Sequence, residues 1–162
     1  MEHDDRGTVA LIGGGHAFGK SHGPCPNGPG DAPKDVYSRN ETGQIPWPGL
    51  CGSGKGSDTF TSGFEGPWTT NPLKWDNEFY KHLLTRQWEK FIGPGGHYQW
   101  RMKNPMTEDE SKLLRLTSDI ALLEDEKYLA IVKEFAEDMS TFDAAFDEAW
   151  TKLVTKGGLR IS

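Results

Sequence analysis

The chain has 162 residues, a formal charge of -6 at neutral pH and 11% aromatic residues, including six tryptophans. That is long enough for one domain with its own core and too short for two of comfortable size, so the expectation is one unit over residues 1–162. Lysines and arginines are scattered among acids and form no basic stripe, which argues against nucleic acid as a partner, and no apolar run approaches the roughly 20 residues of a membrane span.

The first segment carries Val9, Ala10 and Ile12 behind Asp4 and Asp5, which predicts a short helix running from Asp4 to the glycines that begin at Gly13. Such a helix would deliver His16. From Pro24 to Ser62 the composition changes to Gly, Pro, Ser and Asn with few aliphatics, so 24–62 is expected to be an irregular surface insertion. It holds Cys25 and Cys51, which could stay free, pair locally or contribute to a metal site. It also holds the triplet Asn40-Glu41-Thr42, a glycosylation acceptor pattern. The opening residues Met1 to Gly7 lack the apolar stretch of a signal peptide. The compartment expected by default is therefore cytoplasmic or mitochondrial, with secretion as the alternative that the glycosylation triplet leaves open.

Beyond the insertion, Phe79, Tyr80, Leu83, Leu84 and Trp88 recur at helical spacing behind Asp76 and predict a helix. Gly93 to Gly96 interrupts the chain, and His97 to Trp100 could form a short strand. Thr117 or Ser118 is placed to cap a short helix around Asp119 to Leu123. Tyr128, Ile131, Val132 and Phe135 make one apolar helical stripe. A second consists of Phe142, Ala145, Phe146, Ala149, Trp150 and Leu153, stopped near Lys156-Gly157-Gly158. The fold class expected is mainly α.

The most unusual stretch is Gly13-Gly14-Gly15-His16-Ala17-Phe18-Gly19-Lys20-Ser21-His22-Gly23. Glycines on both sides of a histidine let a flat object or another backbone come close, because no side chain intervenes. The histidine could ligate a metal, and Lys20 and His22 could meet anionic groups on the same object; a glycine-rich turn with a hydrogen-bonded histidine is the plain alternative. Gly49 to Lys55 imitates a phosphate-binding loop, but Gly56 stands where a hydroxyl should hold magnesium and no apolar strand precedes it. A zinc site from His16, His22, Cys25 and Cys51 matches no usual ligand spacing.

Three stretches carry a family resemblance. Asp5-Arg6 followed by Thr8 to Gly23 resembles the proximal-histidine segment of class I haem peroxidases, in the form closest to catalase-peroxidases. Thr61-Ser62-Gly63-Phe64-Glu65-Gly66-Pro67-Trp68-Thr69 resembles the cytochrome c peroxidase and ascorbate peroxidase version of the next signature. Leu116-Thr117-Ser118-Asp119 and Glu124-Asp125-Glu126-Lys127-Tyr128 are similar to a third. The insertion looks like that of catalase-peroxidases while the Glu-Gly-Pro-Trp stretch does not, so the chain resembles a hybrid branch of the class.

The resemblance implies the proximal, C-terminal half of the helical haem-peroxidase fold. It implies haem b as cofactor, with His16 ligating the iron and Asp119 accepting a hydrogen bond from the other ring nitrogen. Such a carboxylate makes the imidazole a stronger donor. Trp68 would lie against His16 with its indole N–H directed at Asp119, to hold or relay an oxidising equivalent. Lys20 and His22 would face the haem propionates, with Gly15, Gly19 and Ser21 along the same edge. Thr69, Asn71 and Asp76 match a loop that holds potassium in ascorbate peroxidases, although Ala17 stands where a threonine ligand is expected.

The reaction implied is reduction of hydrogen peroxide with an organic or protein electron donor, as part of a response to oxidative stress. Thr61 replaces the arginine expected to contact ascorbate, which argues against that donor. The distal residues that cleave peroxide lie N-terminal to the proximal histidine in this class, so a missing distal half is the expected partner. The alternative from another class is a non-enzymatic haem-binding fragment or truncated gene product.

Overall fold

A computed structural model describes residues 3–21, 64, 66–92 and 98–156. Six helices and five short strands are formed among these residues, in the order α1 (Asp5–Gly15), β1 (Lys20–Ser21), β2 (Gly66–Pro67), α2 (Glu78–Thr85), β3 (Trp88–Ile92), β4 (Tyr98–Met102), α3 (Glu108–Lys112), β5 (Leu114–Arg115), α4 (Thr117–Ala121), α5 (Glu126–Glu137) and α6 (Met139–Lys156). The fold is mainly α, as expected. The expectations for Cys25, Cys51, the glycosylation triplet, His22, the Gly49–Lys55 loop and nearly all of 24–62 lie outside the described residues.

Each long helix starts on a carboxylate that takes up backbone N–H groups left without intrahelical partners. Asp4 accepts from Gly7 N at 2.7 Å, Asp125 from Lys127 N and Tyr128 N at 2.9 and 3.1 Å, and Asp138 from Ser140 N at 2.8 Å. Their apolar stripes meet in one core: Val9 and Ala10 from α1, Phe79, Tyr80 and Leu83 from α2, Val132, Phe135 and Ala136 from α5, and Phe142 and Ala145 from α6, with Leu122 beneath them. Tyr80 is buried whole, and its hydroxyl donates to Val9 O at 2.7 Å.

Helix α1 continues through Gly13 and Gly14 to Gly15, further than a glycine stop would allow. The reason is packing. A Cβ at Gly13 would lie 2.1 Å from the Tyr80 ring, and one at Gly14 would lie 2.1 Å from Phe146. Two of the three glycines therefore admit aromatic side chains of the chain's own core against the helix backbone.

The second helix ends at Thr85, and Trp88 leaves the helical stripe to open β3. Arg86 takes extended geometry, and β3 pairs antiparallel with β4, Trp88 opposite Met102 and Ile92 opposite Tyr98. The strand expected at His97 to Trp100 is thus a full hairpin arm, which β5 extends with Trp100 opposite Arg115. The short helix around Asp119 is capped neither by Thr117 nor by Ser118. Both are exposed, and the Asp119 carboxylate instead accepts from Leu116 N at 2.7 Å. Helix α3, whose N-terminus is capped by Thr107 accepting from Glu110 N, had no apolar stripe to announce it.

Candidate functional site

His16 sits at the C-cap of α1, held by its N–H to Ile12 O at 3.0 Å. The next residues turn back along the segment that carries Trp68. Lys20 pairs with Pro67 and Ser21 with Gly66 in the two-stranded β1–β2 sheet. Gly19 N donates to Pro72 O at 2.9 Å, and Thr69 Oγ1 donates to Ala17 O at 3.5 Å. Gly19 has φ of +70°, a left-handed turn that a glycine adopts without strain. Positions 16 and 68, far apart in sequence, are thereby clamped side by side.

The two rings stack with centroids 3.8 Å apart and planes 12° from parallel. Phe79 of α2 closes another side of the imidazole edge-on at 5.1 Å. Asp119, 1% exposed, approaches from α4, its Oδ1 3.6 Å from His16 Nδ1. That separation is longer than a hydrogen bond, and Nδ1 is buried with no hydrogen-bond partner. Trp68 Nε1 makes no hydrogen bond to Asp119, whose hydrogen bond among the described residues comes from Leu116.

Burial governs the charges here. Desolvation, helped by the positive charge of Arg115, lowers the His16 pKa to about 3. Desolvation likewise raises Asp119 to about 6, against the opposing pull of the Leu116 N–H and of Arg115. At neutral pH the pair is therefore a neutral imidazole facing a carboxylate, not two opposite charges. A neutral imidazole is the form that ligates metals.

With Nδ1 buried against Asp119, the 19% exposure of the His16 side chain falls elsewhere on the ring. Among the described residues, a Cβ built at Gly15 or at Gly19 would meet nothing within 4 Å, so neither glycine, each within three positions of His16, is packed against a neighbour. This division was only half anticipated: the glycine run serves the core at 13 and 14 and leaves room for a neighbour at 15 and 19. Lys20 and Ser21 lie on β1, with Ser21 Oγ donating to Phe64 O, 3.5 Å away.

The potassium positions fare differently. Thr69 is buried and bonded to Ala17 O, Asn71 is exposed, and Asp76 accepts from Glu78 N at 3.0 Å with Lys74 Nζ 3.5 Å away. No cluster of three or more His, Cys, Asp or Glu able to hold a metal occurs among the described residues. Helices long and apolar enough to cross a membrane are also absent among them.

Sequence reasoning passed over Arg115. Its guanidinium is fully buried, and Nη1 donates to Trp68 O and to Leu114 O at 2.7 Å each, while Nη2 reaches Phe79 O at 3.3 Å. A charged residue inside Leu113-Leu114-Arg115-Leu116 was the available signal, since arginine is rarely buried without partners. Behind it, Glu110 accepts from Arg86 at 2.7 Å and from Met106 N at 2.6 Å, and His82 lies 3.3 Å from Glu78.

The family described as Peroxidase matches residues 1–138. A catalase-peroxidase of Salinibacter ruber is 42% identical over 95% of this chain, one of Halobacterium salinarum 38% over 95%, and catalase-peroxidase 1 of Burkholderia cenocepacia 42% over 94%. The chain spans only 22–23% of the length of these curated relatives. With 138 of its residues matched to the family and relatives of this kind along nearly its whole length, the chain belongs to the peroxidase family, on the class I side.

Proposed function

We propose that this chain supplies the proximal, iron-ligating side of a class I haem peroxidase, which reduces hydrogen peroxide with an organic or protein electron donor in response to oxidative stress. The observation that carries the reading is His16, stacked on Trp68 with Nδ1 turned to the buried Asp119. Haem b fits the residues present: a neutral, partly exposed imidazole on a segment whose glycines at 15 and 19 have no described neighbour within 4 Å of a built Cβ.

In this reading haem b, when bound, supplies the redox chemistry of peroxide reduction. His16 offers Nε2 to the iron, because Nδ1 is committed to the Asp119 side. Asp119 takes the Nδ1 proton as a hydrogen bond, which needs their 3.6 Å separation to close by several tenths of an ångström. An anionic acceptor at that nitrogen enriches the imidazole in electron density and so favours the higher oxidation states of its metal. Trp68, pressed face to face on the ligand ring, is the side chain placed to give up an electron. Lys20, Ser21 and His22 are assigned to the propionate edge with Gly15 and Gly19. Potassium is the lesser cofactor of this reading, at Thr69, Asn71 and Asp76, where Asp76 also accepts from Glu78 N and faces Lys74. The peroxide-cleaving groups are assigned to a distal half, the partner this reading requires.

Haem b titrated into the purified chain should give a Soret band that His16→Ala abolishes. Equal spectra for the two proteins would overturn the reading. Peroxide turnover should then appear when a distal-half fragment of a related peroxidase is added to the haem-loaded chain, and a haem-binding chain that stays inactive with that fragment would be the non-enzymatic alternative.

A further inference from the structure

A buried arginine that binds no carboxylate needs a reason to be there. Taking a cation out of water is expensive, and an apolar side chain of similar volume often serves a core as well or better. Arg115 is 0% exposed, its Nε has no partner among the described residues, and its hydrogen bonds there go to main-chain carbonyls. Its guanidinium is sandwiched between the rings of Phe79 and Trp88, 4.5 Å from each centroid. The nearest compensating charges are those of Asp119 and Glu78, felt through space.

The choice of carbonyls is informative. Trp68 and Phe79 are the residues whose rings enclose the His16 imidazole, at 3.8 and 5.1 Å, and both give their carbonyl oxygens to this one guanidinium. Arg115 also lies on β5, the strand that leads directly into α4 and Asp119. One planar fork thus ties together the chain at Trp68, just after β2, the first turn of α2 and the strand that delivers the carboxylate. A guanidinium can do this because its donors lie in one plane at fixed angles. A lysine gathers its donors on one nitrogen and lacks the fixed planar fork, and a methionine offers none.

We propose that Arg115 is the positioning residue of the His16 cluster, locking the Trp68 and Phe79 main chains so that the indole stays stacked on the imidazole. This rests on the haem reading for its purpose, but the lock is a property of the chain alone. It acts through Trp68 and Phe79 and touches no haem.

The test uses the haem-free chain, so its failure is distinct from a failed haem titration. Protons of an imidazole stacked on an indole face resonate upfield by the ring current, and His16→Gln identifies those of His16. In the unaltered chain the Arg115 Nη protons should be separately resolved and slow to exchange with water; averaged, fast-exchanging signals would overturn the proposal. In Arg115→Met and Arg115→Lys, each folded by far-ultraviolet circular dichroism, the His16 ring protons should lose their upfield shift. Val132→Ala, a core truncation away from the clamp, should keep it. Retention of the shift in either Arg115 variant would overturn the proposal, as would loss of the shift in Val132→Ala. Failure of both Arg115 variants to fold would also overturn it, by assigning Arg115 to the stability of the whole core.

Discussion

The two sides of the molecule are built on opposite terms. Between α1, α2, α5 and α6 the contacts are mostly aromatic and aliphatic: Tyr80 meets Phe135 and Phe142 edge-on at 5.5 and 5.1 Å, and the polar groups buried among them, the Tyr80 hydroxyl and the Asn77 amide, donate to main-chain carbonyls. Around His16 the chain buries an imidazole, a carboxylate and a guanidinium, and leaves His16 Nδ1 and Arg115 Nε without hydrogen-bond partners. Unsatisfied buried groups cost roughly 1–3 kcal/mol each. The aromatic side has to supply the stability that the polar side consumes, and the polar side holds the arrangement only because its segments are pinned from behind.

Breaking the aromatic side should therefore have the largest effect. Phe135 is fully buried and touches Tyr80 and Phe142, so Phe135→Ala should lower unfolding stability by about 3–5 kcal/mol, read from urea denaturation. A loss under about 1 kcal/mol would mean that the core is not where the stability resides.

The polar side should respond to pH instead. Asp119 has its folded pKa raised from 3.8 to about 6, so its contribution favours folding below pH 3.8 and is lost as pH rises through 6. His16 is the reverse: its pKa falls from 6.5 to about 3, so its contribution is present above pH 6.5 and is lost as pH falls towards 3. In the haem-free chain the two slopes oppose each other between pH 3.8 and 6. Asp119→Asn removes one of them. That variant should be more stable than the unaltered chain at pH 7, by up to about 3 kcal/mol at about 1.36 kcal/mol per pKa unit, and the advantage should vanish near pH 4. Urea midpoints at several pH values would show it, and a difference independent of pH would remove the buried charge from the account.

Gly13→Ala sharpens the comparison where the two sides meet. Its Cβ would overlap the Tyr80 ring tip, which is buried and hydrogen-bonded and so has little room to move. Overpacking of this kind costs roughly 1–3 kcal/mol, and pushing α1 away would also displace His16 at its end. Gly15→Ala, with nothing near its Cβ, should leave folding unharmed and slightly favour the helix. If the two alanines behave alike, the division of the glycine run into core and open positions is wrong.

How much of this the amino-acid order could disclose follows the same divide. The stripes Tyr128 to Phe135 and Phe142 to Ala149 were legible because each helix buries one face against an apolar neighbour, which imposes a period, whereas Trp150, expected to continue the second stripe, is half exposed. His16, Trp68 and Asp119 were singled out by motif order; the structure stacks the two rings and buries the carboxylate 3.6 Å from the imidazole, but the indole N–H expected to reach Asp119 makes no bond to it. Trp88 misled, since it falls four residues after Leu84 and imitates the next helical turn; the aromatic runs on either side of Gly93 to Gly96 were the hairpin signal that outweighed it. Arg115 left no periodic trace, because its partners are carbonyls whose positions depend on tertiary structure rather than on local spacing.

The smallest expected effect concerns the outer seam of the aromatic side. Arg6 on α1 makes a two-pronged ion pair with Glu134 on α5, Nη1 to Oε2 at 2.6 Å and Nη2 to Oε1 at 3.0 Å, and its guanidinium also lies 4.9 Å from the Phe135 ring centroid. Both side chains are about two-fifths exposed, so water and salt screen the attraction. Glu134→Gln should cost no more than about 1 kcal/mol in low salt. Arg6→Ala should cost somewhat more, because it also strips the stem that covers Phe135. Raising the salt concentration should erase the first loss and leave the part of the second that is packing. Were both losses equally salt-sensitive, charge alone would join α1 to α5 at this seam, and the aromatic side would end at Phe135 rather than reach the surface through Arg6.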